Sequence, residues 1–173
     1  MIKFTSVFLL NKCSEYKKVG GNMIRRAKSY DKEVLKDLVK VMLGNENVDE
    51  VAEEVVSEFY SNDIYNVFVI EVENVVRGFG VAKLNQFEGA ENVGEIVWLS
   101  INKDYKRQGL ASKLLKYIEE FAKEKGMRKI YIKTNVGNKA GVCFWIMQGY
   151  MFEARMLDFT AKSYDDYYLG KDI

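Results

Sequence analysis

Lys106-Arg107-Gln108-Gly109-Leu110-Ala111 is the stretch whose reading decides the fold of this chain. An apolar run precedes it, Ile96-Val97-Trp98-Leu99-Ser100-Ile101, with the form of a buried strand. After it, Leu110, Ala111, Leu114, Leu115, Ile118, Phe121 and Ala122 form one stripe at helical spacing, stopped by Gly126. Strand, basic turn, glycine and helix in this order place backbone N–H groups and cationic side chains at one helix N-terminus. Such an end carries unpaired donors and a partial positive charge, so it suits a phosphate.

Working outward, Met23 to Lys28 reads as a short strand and Asp31 to Leu43 as a helix with Val34, Leu35, Leu38, Val39 and Met42 inward, closed by Gly44. Asn47 and Glu50 have capping-box spacing for a second helix running to about Tyr60. Tyr65 to Val72 and Val75 to Leu84 predict an antiparallel hairpin through Glu73-Asn74. Gly78 and Gly80 inside its second strand signal a bulge or a close backbone approach. The loop Asn85 to Asn92 leads to the strand Val93 to Ile101. Beyond the long helix, Lys129 to Thr134 is a strand and Asn138 to Gln148 an apolar helix. Gly149 to Phe152 turns back into extended chain, and a last strand covers Asp166 to Leu169. The order describes one mixed α/β domain, in which the unit around residues 95 to 134 crosses over right-handedly.

Composition narrows the chemistry. In 173 residues, 26 Lys and Arg stand against 25 Asp and Glu, so no global field draws the chain to nucleic acid. The chain has no His, which removes Ser-His-Asp and Cys-His nucleophile systems and His-containing zinc sites. Cys13 and Cys143 are too few for a disulfide framework or a four-cysteine metal site; they read as reduced thiols of a cytoplasmic protein. At the N-terminus, Phe4 to Leu10 is too short to span a bilayer and lacks a cleavage pattern. Residues 1–22 are expected to be an extension, an extra strand plus a flexible Lys17-Lys18-Val19-Gly20-Gly21 link, ahead of a domain at 23–173. Met23 is an equally good start for the patterned domain.

This pattern resembles the GNAT superfamily of acyl-coenzyme A N-acyltransferases, in element order over residues 23 to 173 and most strongly from Gly94 to Tyr150. The family signature is a basic or Gln residue, two of any kind, Gly, one of any kind, then Gly or Ala. It is matched by Lys106 to Ala111, with Lys in place of the more usual Gln or Arg at its first position. The resemblance implies a central twisted mixed sheet of six to seven strands with about four helices, and acetyl-coenzyme A as cosubstrate without a metal. It implies that Gly109 lets the backbone approach the pyrophosphate and that Gln108, Gly109, Leu110, Ala111 and Ser112 present N–H groups to it. Lys106 and Arg107, with Lys113 nearby, would supply charge-assisted contacts. The backbone of Leu99, Ser100 and Ile101 would pair with the pantetheine arm, and Asn138 would contact the cofactor from the next helix.

The implied reaction moves an acetyl group from a thioester to a primary amine. With no His, a carboxylate acting through water is the natural base. Glu95 is the candidate, the lone ionisable side chain between Glu91 and Lys103, where burial should raise its pKa toward neutrality. Glu95-Ile96-Val97-Trp98 also resembles the Glu-Ile-Val-Phe strand of the histone acetyltransferase branch, whose Glu is the general base. Ribosomal-protein N-terminal acetyltransferases carry a Tyr where Trp145 stands here and a strand Glu where Lys133 stands, two departures that argue against that acid and that substrate class. Either the thiolate leaves without a protonating residue, or a tyrosine from elsewhere serves, such as Tyr150, for which a core role is the plainer reading. Glu46, Asp49, Glu50, Glu53 and Glu54 make the second helix acidic, either to attract a cationic amine or as an ordinary solvated face.

The expected partner is a small-molecule amine or a peptide, with neither nucleic acid nor membrane, and the fold allows a homodimer. The competing reading is a catalytically silent acyl-coenzyme A sensor or interaction module on the same fold. A nucleic-acid-binding domain would need an extended basic and aromatic surface.

Overall fold

The computed structural model describes residues 16–44, 48–84 and 89–173. An eight-stranded sheet is built from β1 (Tyr16–Val19), β2 (Asn22–Arg26), β3 (Tyr65–Val72), β4 (Val75–Leu84), β5 (Val93–Ile101), β6 (Lys129–Asn135), β7 (Met151–Ala161) and β8 (Tyr164–Asp172). The strand order is β1-β2-β3-β4-β5-β6-β8-β7. Every neighbouring pair is antiparallel except β5 and β6. The helices are α1 (Lys32–Leu43), α2 (Val48–Ser61), α3 (Leu110–Glu124) and α4 (Lys139–Met147). Among the described residues no helix is long and apolar enough to cross a membrane.

The sheet separates two cores. On one face α3 buries Leu114, Leu115, Ile118 and Phe121 against Phe68, Ile70, Ile96 and Ile130. Gly80 makes this approach close: a Cβ there would lie 2.6 Å from Ile118 Cδ1. At Gly78 a Cβ would meet Ile101 Cδ1 at 2.3 Å. The two strand glycines therefore mark close packing under α3, and the ladder beside them also carries a register shift at Ile70/Glu71. On the other face α1 and α2 bury Leu35, Leu38, Val39, Ala52, Val56 and Phe59 against Val69, Phe79 and Val81. Of the inward positions expected on α1, Met42 stays 47% exposed, at the end of the helix nearest the site.

Two expectations need correction. The sheet has eight strands, because the stretch read as a flexible link, Lys17 to Gly21, is half of a hairpin. Gly20 (φ 55°) and Gly21 (φ 81°) make a two-residue turn with both residues left-handed, and Val19 pairs with Asn22 across it. Lys17 anchors the strand to α3 through Glu120 at 2.5 Å. The C-terminal strands are also longer than their sequence signals, forming one long hairpin from Met151 to Asp172. The strand expected at Phe4 to Leu10, the Asn47 cap and part of the Asn85–Asn92 loop lie outside the described residues.

Candidate active site

The parallel ladder between β5 and β6 is short. Its rungs are Val93–Lys129, Gly94–Ile130, Glu95–Tyr131 and Ile96–Ile132, and there it ends. β5 nevertheless continues along β4 to Ile101, and β6 continues along β8 to Asn135. At the same point β5 carries one extra residue, Val97, relative to β4, where Val81 faces Trp98 and Ala82 faces Ile96. Such a bulge bends its strand away from a partner. The strands splay, and a cavity of about 590 Å³ lies in the opening.

The basic turn closes one end of this cavity. Asn102 Oδ1 accepts from the Asp104 N–H at 3.0 Å and starts a 3-10 turn, Lys103–Tyr105, that carries the chain to Lys106. Arg107 (φ 64°) and Gly109 (φ 75°) both take the left-handed conformation. Gly109 is the cap of α3 with no side-chain hydrogen bond, so the first-turn N–H groups are left to a ligand. A Cβ on Gly109 would meet nothing within 4 Å, because that side faces the opening. Lys106, Arg107, Gly109, Leu110, Ala111 and Ser112 line the cavity, as do Leu99 and Ile101 on β5. These features fit a phosphate-bearing cofactor whose arm runs along β5.

Three side chains here point elsewhere, which leaves the backbone roles expected of Gln108 and Ser100 untouched. Gln108 reaches back toward Asp104, its Nε2 donating to the carbonyl at 3.5 Å. Ser100 is 5% exposed and donates to the Leu38 carbonyl at 3.5 Å, on the α1 face. Strand alternation explains this, since Leu99 and Ile101 take the cavity side. Lys113 also departs: its Nζ lies 3.2 Å from where a Gly20 Cβ would be, beside the β1–β2 turn.

Asn138 lines the opposite wall as the cap of α4. Its Oδ1 accepts from the Gly141 N–H at 3.1 Å and its Nδ2 donates to Thr134 Oγ1 at 3.2 Å. The wall continues through Lys133, Thr134, Cys143, Phe144 and Trp145, with Met42 of α1 and Met147 at the mouth. Sequence reasoning missed most of these. Helix α4 is apolar nearly all round, so its spacing does not reveal which side meets a cavity.

Glu95 is half-buried on the α1–α2 face of the sheet and does not itself line the cavity; Ile96 beside it does. It occupies a transverse row of rung partners, Tyr65, Lys83, Glu95 and Tyr131. The Tyr131 hydroxyl donates to Glu95, and burial together with that carboxylate holds its pKa above the tyrosine range. Tyr65 is pushed up to about 12 by burial, by its hydrogen bond to Glu58 and by the charge of Glu95. Lys83 Nζ lies 4.7 Å from the centre of the Tyr65 ring.

Comparison with known proteins matches this geometry. Residues 33–150 match the model of the acetyltransferase (GNAT) family. The chain belongs to the GNAT family of acetyltransferases. It is 30% identical over 103 residues to N-alpha-acetyltransferase 30 of Schizosaccharomyces pombe, covering 54% of this chain and 69% of that one. Its fold is shared with a protein assigned to the GNAT family from Desulfovibrio desulfuricans, at TM-score 0.77 and 17% identity over 87% of this chain and 98% of that one. It is also shared with YncA of Salmonella typhimurium, solved with its cofactor acetyl-CoA, at TM-score 0.72 and 17% identity over 88% and 94%. As a GNAT enzyme the protein is an acetyl-coenzyme A-dependent N-acetyltransferase.

Tyr150 is fully buried, donates to Glu119 at 3.1 Å and is held far above the tyrosine range by burial, so it belongs to the core. Trp145 packs edge-on against Tyr150 and lines the cavity. On the acidic face of α2, Glu53 pairs with Lys36 and Asp49 with Lys40, both of α1. Glu46 lies outside the described residues.

Proposed function

We propose that this enzyme transfers the acetyl group of acetyl-coenzyme A to a primary amine by direct attack, with Glu95 as general base through water. The observation that carries the reading is the broken β5–β6 ladder, which has the phosphate turn at one end of its opening and Glu95 on its third rung at the other. Lys106, Arg107 and the N–H groups of the first α3 turn hold the pyrophosphate. The β5 backbone from Leu99 to Ile101 pairs with the pantetheine arm as a strand would, and Asn138 steadies it from α4. This delivers the thioester toward Val97, where the two strands part.

The amine approaches from the α1–α2 face, where Glu95 lies. It arrives as an ammonium and must lose a proton before it can attack; Glu95 takes that proton through an intervening water. The neutral amine then adds to the carbonyl carbon, and a β5 backbone N–H near Leu99 supports the oxyanion. Collapse expels the coenzyme A sulfur.

A peptide α-amino group is the first acceptor to test, because the curated relative is named an N-alpha-acetyltransferase. Thiol release from acetyl-coenzyme A is followed with peptides bearing free or blocked N-termini, polyamines, amino acids and aminoglycosides. Turnover on free but not blocked peptides supports the peptide reading. Cofactor binding with no turnover on any amine would replace it with the silent sensor.

A further inference from the structure

We propose that Lys133 supports the leaving group of the reaction, its ammonium standing beside the coenzyme A sulfur and stabilising the departing thiolate as the thioester breaks. The proposal rests on the preceding reading, in which the thioester reaches Val97.

The register supplies the placement. Ile96 and Ile132 form the last rung of the parallel ladder, so the next residues, Val97 and Lys133, flank the point where the strands part, and both line the cavity. Lys133 lines the cavity and is exposed, so its charge stays hydrated until a ligand enters. Alternation along β6 puts Lys133 on the same face as Tyr131, hence on the same face as Glu95, the side from which the amine arrives. On β8 its rung partner is Tyr168.

A second observation shows how the ammonium is held. Lys133 Nζ donates to Thr160 Oγ1 at 3.4 Å, and that hydroxyl donates to Asp166 Oδ2 at 2.5 Å. Asp166 is 3% exposed. The three groups form a directed chain of hydrogen bonds from the cavity to a buried carboxylate, which holds the Lys133 side chain in place. The charged groups facing Lys133 from the packed strands are thus Glu95 on β5 and Asp166 on β8, with the hydroxyls of Tyr131 and Tyr168 beside it. Glu95 is the diagonal neighbour, a base for the amine beside a cation for the sulfur.

The step balances. The bond between the former carbonyl carbon and sulfur breaks, its electron pair goes to sulfur, and the thiolate leaves beside the Lys133 ammonium, which keeps its proton. Of the two protons the substrate ammonium loses, one goes to Glu95 before attack and the other leaves the nitrogen as the amide forms; both pass to solvent. Nothing is oxidised or reduced. The reading also gives meaning to a departure visible in the sequence, a lysine where a related branch carries a strand glutamate.

The test needs no acceptor. Coenzyme A is bound to the wild-type protein, to Lys133→Met and to Lys133→Arg, and calorimetry confirms binding. The thiolate absorbance of the bound cofactor is then titrated against protein alone. The wild-type complex should titrate about 1–3 pH units below free coenzyme A, as for an acid beside an opposite charge. Lys133→Met should return the sulfur to the free value, and Lys133→Arg should keep the shift. Identical titration of wild type and Lys133→Met, with binding intact, overturns the role of Lys133 alone. Failure of wild type to bind coenzyme A overturns the cavity reading and this proposal together. An added acetyl group mapped to Lys133 by peptide mass after incubation with acetyl-coenzyme A would also overturn it, since Lys133 would then be an acceptor.

Discussion

The Tyr131 hydroxyl donates to the carboxylate of Glu95 on the third rung of the β5–β6 ladder, two strands' length of backbone fixing both partners. The contact holds the carboxylate of the proposed base in one orientation. Glu95→Gln should lower kcat by about 10²–10⁴-fold with coenzyme A affinity nearly unchanged. Tyr131→Phe removes the donor that orients this carboxylate, so kcat should fall by less than in Glu95→Gln, again with coenzyme A affinity nearly unchanged. Steady-state kinetics and calorimetry on the two variants check both. Unchanged turnover in Glu95→Gln removes this residue from the mechanism.

Gly109→Ala tests the phosphate turn. The space beside Gly109 is open, so the substitution meets no atom within 4 Å in the protein itself. Its penalty in the free protein is the left-handed backbone at φ 75°, about 1–2 kcal/mol for a residue with a Cβ. The new methyl group also faces the cavity, where the pyrophosphate would approach. Coenzyme A affinity should therefore fall by more than the fold loses stability. Calorimetry and urea unfolding on the same preparation separate the two.

Tyr150→Phe tests a negative expectation. Its hydroxyl donates to Glu119, which Lys171 also contacts at 2.9 Å. Removing the hydroxyl should cost about 1–3 kcal/mol of stability by leaving Glu119 short of a donor. Turnover per folded molecule should not change. A large fall in kcat without a change in stability would restore Tyr150 as a candidate acid.

The legible parts of the fold were those where one stretch of chain decides its own structure. The β3–β4 hairpin, β5 and α3 follow from apolar spacing bounded by Asn, Gly and basic turns, and their observed limits agree closely with those readings. Strand β1 was not legible, because two lysines and two glycines look like a solvated link until Arg25 and Ile24 are found across from Tyr16 and Lys17. Strand β7 lies at the sheet edge and is exposed along nearly its whole length, so it shows no alternation. Glu95 stood out as a lone carboxylate in an apolar run. Its companions Tyr65, Lys83 and Tyr131 did not, because rung partners depend on register between distant segments. The same holds for Lys133 and Val97, which flank the end of the ladder.

Tyr60 and Tyr65 contribute to the sensitivity of the fold to alkali, alongside Tyr131 and Tyr150, which burial holds higher still. Tyr60 donates to the Lys28 carbonyl at 2.8 Å, and burial pushes its pKa up to about 12. Tyr65 is also pushed up to about 12, chiefly by burial. The ordinary value is 10.0, so the unfolded chain ionises these groups first. Their stabilisation is whole below pH 10.0 and is lost as the pH rises through about 12. Melting temperature should fall across that window, and the fall should be shallower in the Tyr60→Phe, Tyr65→Phe double variant. An equally steep fall in that variant assigns the alkaline sensitivity to other groups.

The seam between β5 and β6 has only the rungs from Val93–Lys129 to Ile96–Ile132, yet it joins the five-strand half of the sheet to the three-strand half. A pantetheine arm lying along β5 would act as the missing length of that seam, so occupancy would stiffen the whole molecule as well as equip it for chemistry. Binding restricted to the folded form adds about 2.7 kcal/mol at a ligand concentration one hundred times Kd. The supply of acetyl-coenzyme A would then govern the enzyme twice, setting both its rate of turnover and its resistance to unfolding and proteolysis.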